Sequence, residues 1–374
     1  MTTTVQVRVP FLDLGAQYLS IKEEVLEAVH AVLDSGHFVG GEWVEKFEEE
    51  FSEFVGARYT VAVGSGTAAL ELALMAAGMN DGDEVIVPAN SFFATAEAVS
   101  NIGARPVFAD VDPLTFHFDV TKIEQHVTSK TRAIIPVHLY GRAADLTEIE
   151  RLAAKYGLQI VEDACQAHGV KRNGTTVGGS KHITCFSFYP GKNLGAYGDG
   201  GAICCSDQAI AHTLRILRDH GSPAKYQHVT IGTNSRLDAI HAAVLSVKLR
   251  YLPEWNARRV RHAAAYARGL ESSEIRCPIL PPEEEHNFHL FVVRSSKRDL
   301  LRNFLRERGI DTGIHYPVPL HLTPAYKQLG YSQQTLPVAE SQANEILSLP
   351  MFAELCQEQI EYLIATLHEF VTGN

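Results

Sequence analysis

One lysine, Lys192, stands in the run Ser187-Phe-Tyr-Pro-Gly-Lys192-Asn-Leu-Gly-Ala-Tyr-Gly-Asp-Gly-Gly201. Upstream, an apolar run, Leu158-Gln-Ile-Val161, leads into Glu162-Asp163-Ala-Cys-Gln166. An amine can form a Schiff base with an aldehyde. A carboxylate at a strand end can hold the proton of a pyridinium nitrogen. These are the two groups that an enzyme needs to bind pyridoxal phosphate and keep its ring an electron sink. Plainer uses exist for both. A lysine is most often a solvated loop residue, and a strand-end aspartate can cap a helix or sit in a buried ion pair. The glycines at Gly191, Gly195, Gly198, Gly200 and Gly201 favour a close-fitting loop around Lys192 over a surface tail.

The segment Gly64-Ser-Gly66-Thr-Ala-Ala69 follows a strand pattern and opens a helix pattern. Such a turn lets the backbone approach an anion at a helix N-terminus. Gly66 and Thr67 suit a phosphate monoester, and Ser187 is placed to add a hydroxyl. The same segment fits the dinucleotide fingerprint GxGxxG/A, which also requires an acid at the far end of the next strand. Here that strand, Val85-Ile-Val87, ends in Pro88-Ala-Asn90, while Asp83 and Glu84 precede it. Nicotinamide binding is disfavoured on that ground. Phe92, just beyond Asn90, could stack on a planar ring or pack in the core.

The elements that would position these residues alternate. Helix patterns cover Tyr18 to Leu33, with a stop at Gly36, and Val44–Val55. Strand patterns at Thr60–Val63, Val85–Val87, Pro106–Ala109, Ala133–Val137 and Leu158–Val161 are separated by helix patterns at Ala68–Ala77, Ala94–Ile102 and Asp145–Tyr156. Further strands are expected at Ile183–Phe188 and Gly201–Cys205. This alternation predicts an α/β fold with a mostly parallel sheet covered on both faces. A long helical pattern, Leu237 to Leu270, is interrupted by Pro253. Beyond it a strand at Phe288–Arg294 and helices at Leu300–Glu307, Ala339–Leu347 and the C-terminus predict a smaller α+β domain. The expected division is residues 1–250, a large domain with an N-terminal helical segment, and residues 251–374, a small one.

The 374 residues carry a net charge of −11, which gives no electrostatic reason to expect nucleic acid or an anionic membrane as a partner. No apolar run approaches the length of a bilayer span and no signal-peptide pattern opens the chain, so a soluble cytoplasmic protein is expected. Six cysteines without a CxxC pair read as buried reduced thiols, and the 17 histidines show no metal-ligand spacing. No metal is expected.

The ordered series of a phosphate turn, an aromatic, a strand-end acid and a lysine on one α/β sheet resembles the fold-type I pyridoxal-phosphate enzymes. More narrowly, the chain resembles the nucleotide-sugar aminotransferases of the DegT/DnrJ/StrS type over nearly its whole length. The resemblance rests on Pro10-Phe-Leu-Asp-Leu14, Ser35-Gly-His-Phe-Val-Gly-Gly41, Phe47-Glu48, Ser65-Gly-Thr-Ala-Ala-Leu70 and Pro88-Ala-Asn-Ser-Phe-Phe-Ala-Thr95. It continues through Pro136-Val-His-Leu-Tyr-Gly141, Glu162-Asp-Ala-Cys-Gln-Ala-His168, the lysine segment, Gly232-Thr-Asn-Ser-Arg236, His315-Tyr-Pro-Val-Pro-Leu-His321 and Leu347-Ser-Leu-Pro350.

The resemblance implies roles at matched positions. Lys192 would carry the Schiff base, Asp163 would pair with the pyridine nitrogen, and Gln166 would contact the ring oxygen. Phe92 would lie against the ring, and Gly66, Thr67 and Ser187 would hold the phosphate. Asn234 would reach the phosphate of a neighbouring subunit, making the minimal active unit a homodimer with shared sites. Relatives that have histidine in place of the lysine are dehydratases, so Lys192 favours transamination. Asp199 stands where many relatives have glutamate, and this segment is most similar to members that aminate C3 of a 3-oxo-6-deoxyhexose carried on dTDP, with L-glutamate as donor. A 4-oxo sugar aminotransferase and a non-catalytic regulator are the alternatives within the family. Tyr316 and His321 are candidate sugar-pocket residues, although a packed proline-rich loop accounts for them nearly as well.

Overall fold

The computed structural model describes residues 7–271 and 273–373. Three helices, α1 (Leu14–Ser20), α2 (Lys22–Ser35) and α3 (Glu42–Val55), come first. Then β1 (Tyr59–Val63), α4 (Gly66–Ala76), β2 (Glu84–Pro88), α5 (Phe93–Asn101), β3 (Arg105–Ala109), β4 (Thr131–Ile134), α6 (Thr147–Tyr156) and β5 (Gln159–Asp163) alternate as the apolar runs predicted. A two-residue hairpin, β6 (Lys171–Arg172) and β7 (Thr175–Thr176), precedes β8 (Ile183–Ser187), β9 (Gly201–Cys205) and α7 (Gln208–Leu217).

The seven long strands form one sheet in the order β1-β9-β8-β5-β4-β2-β3. The pairs β2–β3, β2–β4, β4–β5 and β5–β8 are parallel, whereas β9 is antiparallel to both β8 and β1. Six strands therefore run one way and β9 alone runs back. The carboxyl ends of β1, β2, β5 and β8 and the start of β9 all meet at one edge. That is the edge where ligands of open α/β sheets collect.

The pleat sorts side chains onto the two faces. On β8, Ile183 and Cys185 join the cluster that includes Leu70 and Leu74 of α4, while Phe186 turns to the α3 side. There Phe51 packs edge-on against Phe186 and Phe188, with ring centroids 5.1 and 5.4 Å apart. Phe47 packs on Phe188 at 5.3 Å. Each such buried ring contributes roughly 1.5–3 kcal/mol. Ser187, between the two phenylalanines, is thereby directed to the α4 side.

Four expectations are corrected. The N-terminal pattern is two helices, because Ile21 leaves the helical region at φ −131°, ψ 16°; the stop at Gly36 is present in left-handed conformation. The Leu237–Leu270 pattern divides into α8 (Ala239–Leu249) and α9 (Leu252–Gly269). The break precedes Pro253, which sits in the first turn of α9, where its missing N–H costs nothing. The strand expected from Phe288 begins at Phe291, since Phe288 has φ 45°. The helix expected at Ala339–Leu347 runs Pro337–Glu345 and gives way to a strand, Ile346–Leu349, antiparallel to Phe291–Arg294.

These last two strands, with α9, helix Arg298–Glu307 and helix Gln357–Thr372, enclose a separate apolar cluster. Val9 belongs to it through a bridge to Ile310. Residues Leu320, Tyr326, Leu336 and Ala339 instead pack onto the main-sheet cluster. All six cysteines are free; Cys185, Cys204 and Cys205 are buried and Cys356 is exposed. Among the described residues no helix is long and apolar enough to cross a membrane.

Candidate active site

Asp163 is the last residue of β5 and is 5% exposed. Its Oδ2 accepts a hydrogen bond from Thr95 Oγ1 at 2.8 Å and its Oδ1 accepts from the Cys165 N–H at 3.2 Å. Thr95 lies on α5, and its hydroxyl is 2.7 Å from that of Ser91.

At the end of β1, Ser65 caps α4, its Oγ accepting from the Ala68 N–H at 3.1 Å. The first-turn N–H groups of Gly66 and Thr67 have no intrahelical partner by the geometry of a helix start. Gly66 is required here: a Cβ would stand 2.5 Å from Ser187 Cβ and 3.1 Å from Cys165 Sγ. Gly201 is required too, since its Cβ would meet the Ser65 carbonyl oxygen at 2.4 Å. The phosphate turn, Ser187 and Cys165 are thus pressed together by two residues that lack side chains.

Lys192 follows β8 in a loop that folds back on itself. Its N–H donates to the Tyr189 carbonyl (2.8 Å), and the Ala196 N–H to that of Phe188 (2.8 Å). Burial pulls the Lys192 amine below the ordinary lysine range, with Cys165 and Asp163 pulling the other way. A lowered value is what an amine needs to act as a nucleophile and base near neutral pH. Three histidines lie within its field. Burial, followed by the Lys192 charge, brings His168 down to about 3 and His315 to about 4, and holds His289 well below its usual range. A second lysine, Lys248, is 1% exposed; its Nζ donates to the Gly195 carbonyl at 2.6 Å and lies 4.5 Å from the Tyr197 ring centre. Burial brings it to about 8.

Gln166 is fixed on both sides. Its Oε1 accepts from the Tyr140 N–H at 2.6 Å, and its Nε2 donates to the Tyr316 hydroxyl at 3.2 Å. Tyr316 in turn lies 5.5 Å from the Phe92 ring. Phe92 is 54% exposed at the start of α5, so its ring is available to a ligand and is not core.

The structure therefore brings Lys192, Asp163, Gln166, Gly66, Thr67, Ser187, Phe92 and Tyr316 together at one edge of the main sheet. It does not bring His321 there. That side chain is 1% exposed, faces Glu340 Oε1 at 3.1 Å, and packs near Phe108 and Tyr331. Asn234 is exposed, while the neighbouring Ser235 Oγ accepts from the Gly64 N–H at 3.1 Å. Thr95 and Tyr140 are members that the residue pattern did not single out. The spacing of Ser91 and Thr95, one helical turn apart beside Phe92, was the available clue for Thr95.

These residues fit pyridoxal phosphate. Gly66, Thr67 and Ser187 would hold its phosphate where no side chain can intrude, Asp163 its ring nitrogen, and Lys192 its aldehyde.

Comparison with known proteins agrees. A "Pleiotropic regulatory protein" of Geobacillus stearothermophilus is 46% identical over 97% of this chain and 99% of its own length. The dTDP-3-amino-3,4,6-trideoxy-alpha-D-glucose transaminase of Streptomyces venezuelae is 46% identical over 97% of this chain and 96% of its own. The crystal structure of S. venezuelae DesV in complex with a ketimine intermediate superposes with a TM-score of 0.96 at 46% identity, covering 97% of this chain and 98% of that one. The model of the DegT/DnrJ/EryC1/StrS aminotransferase family matches residues 19–368. The chain belongs to that family and is a pyridoxal-phosphate-dependent sugar aminotransferase.

Proposed function

We propose that the substrate is a 3-oxo-6-deoxyhexose linked to a nucleoside diphosphate, dTDP by preference, and that L-glutamate supplies the amino group. The observation that carries the transaminase chemistry is the convergence of the Lys192 amine and the Asp163 carboxylate at one sheet edge, beside an anion-binding turn. Support for the sugar comes from the relatives whose names specify 3-amino sugars on dTDP.

Bound in the crevice, pyridoxal phosphate supplies the electron sink and carries the amino group between the two substrates. The chain's residues do the rest. Asp163, held by Thr95 and the Cys165 N–H, keeps a proton on the ring nitrogen. Lys192, lowered by burial, takes the proton from the amino-acid Cα. In the second half-reaction it delivers a proton to the sugar carbon that receives the nitrogen. Such transfers by a positioned amine typically contribute about 10²–10⁴-fold. Gln166 and Phe92 orient the ring, and Tyr316, tied to Gln166, borders the sugar side.

A homodimer with shared sites is part of the proposal. Asn234 is exposed, and the preceding loop exposes Tyr226, Val229 and Ile231. These apolar side chains suit a partner surface.

Assay of the purified protein with L-glutamate against dTDP-linked 3-oxo and 4-oxo hexoses, with the product identified by NMR, tests the substrate. A 3-amino sugar is expected. A 4-amino product would refute the regiochemistry, and no amino sugar from any member would favour the regulatory alternative.

A further inference from the structure

We propose that Asn193 and His289 act as a positioning pair for Lys192: Asn193 ties the lysine turn to the segment 287–289 and places the proton of His289 on Nδ1. The proposal rests on the reading that Lys192 carries the cofactor.

Asn193 follows Lys192 directly and is 2% exposed. Its amide orientation is fixed by a chain of groups that can only accept. The His168 carbonyl receives Asn256 Nδ2 at 2.9 Å, so Asn256 turns its Oδ1 to Asn193. Asn193 Nδ2 donates to that Oδ1 at 2.9 Å and to the Asn287 carbonyl at 3.3 Å. Its own Oδ1 therefore faces outward as an acceptor, and His289 Nδ1 lies 3.2 Å from it. An acceptor oxygen there requires a proton on Nδ1, and because burial disfavours the charged ring, Nε2 is left as the lone pair.

Asn287 completes the frame. Its Nδ2 donates to the Gln166 carbonyl at 3.2 Å and to that of His168 at 3.1 Å, and its Oδ1 accepts from the His289 N–H at 3.0 Å. Gly141 leaves room for it; a Cβ there would fall 1.9 Å from Asn287 Oδ1. One buried amide network thus joins the turn bearing Lys192, the turn bearing Gln166, α9 and the segment entering the strand Phe291–Arg294. A buried amide network of this kind specifies one arrangement, and removing a member strands its partners. Asn193 and His289 touch neither Asp163 nor the phosphate turn. Their action is on where the Lys192 backbone stands and on the orientation of the His289 ring.

The test compares wild type with Asn193→Ala, His289→Phe and the double variant. Each protein is stripped of cofactor and then given pyridoxal phosphate, and borohydride traps the fraction bound to Lys192 over time. Thermal midpoints, kcat and KM are measured in parallel. Both single variants are expected to capture the cofactor and turn over about tenfold more slowly, with KM within about threefold, because misplacement by about 1 Å can cost up to about 100-fold. The double variant should be no slower than the slower single, as expected of two residues acting as one unit. Should Asn193→Ala not fold, His289→Phe leaves the other Asn193 bonds in place and decides the matter alone. Capture and kcat within about twofold of wild type, or losses that multiply in the double variant, would overturn the pairing. Losses that merely follow the thermal midpoint would do the same. A wild type that captures no cofactor on Lys192 would instead overturn the cofactor assignment itself.

Discussion

Thr95 Oγ1 and Asp163 Oδ2 stand 2.8 Å apart, joining α5 to the end of β5 beneath the crevice. With the Thr95 proton given to the carboxylate, the hydroxyl of Ser91, 2.7 Å away, donates to Thr95 in turn. The carboxylate is held from two sides and cannot rotate freely. Replacing Thr95 by valine keeps the shape and removes the donor. A hydrogen bond to a charged group is worth about 1.5–3 kcal/mol, so Thr95→Val should lower kcat by about tenfold while the protein stays folded. Steady-state kinetics with circular dichroism check this, and unchanged kcat would show that the bond does not serve the carboxylate.

Asp163→Asn removes the charge and keeps the volume. Folding should survive, since the asparagine Oδ1 can still accept from the Cys165 N–H while its Nδ2 donates to the Thr95 hydroxyl, which then gives its proton to Ser91. Turnover should fall by at least about 100-fold, because a neutral amide does not hold a ring proton. Near-normal turnover in a variant with an unchanged thermal midpoint would refute the role given to Asp163.

Gly66→Ala forces a methyl to within 2.5 Å of Ser187 Cβ. Overpacking of this order costs about 1–3 kcal/mol, and it displaces the N–H groups intended for the phosphate. Affinity for pyridoxal phosphate, measured by equilibrium dialysis, should weaken by at least about tenfold. Wild-type affinity would mean that the phosphate binds elsewhere.

Acid should destabilise the protein before its carboxylates titrate. His168 and His315 are held neutral down to about 3 and about 4, chiefly by burial and then by Lys192, against an ordinary value of 6.5. The unfolded chain protonates them first. Below about pH 6.5 it therefore binds more protons than the folded state, and stability falls with pH until each folded value is reached. Each group contributes a slope of up to about 1.4 kcal/mol per pH unit. Urea unfolding midpoints should drop steadily from pH 7 to pH 5, and a flat profile over that range would contradict the burial of these imidazoles.

Much of this arrangement was legible in the residues. The alternation of apolar runs located β1 to β5, β8 and β9, and the positions of Gly66, Asp163 and Lys192 relative to those runs placed them at one edge. The reversal of β9 and its insertion between β1 and β8 were not legible, because strand order is decided by packing between distant segments. Ile346–Leu349 was hidden for a related reason: three apolar residues and a serine after a helix continue either pattern equally well until Phe291–Arg294 offers a partner. His321 shared a motif with Tyr316, yet the 3.1 Å approach to Glu340 turns it away from the crevice. Asn193, Asn287 and Tyr140 act through partners far along the chain, so no local pattern marks them.

Lys192, and not the buried Lys248, is expected to hold the cofactor opposite Asp163. Borohydride reduction of the protein saturated with pyridoxal phosphate, followed by proteolysis and mass spectrometry, tests it most directly. A phosphopyridoxyl mass is expected on the peptide containing Lys192, and it should be lost in Lys192→Ala together with all turnover. A label on Lys248, or no label in a protein that still transfers amino groups, would contradict it.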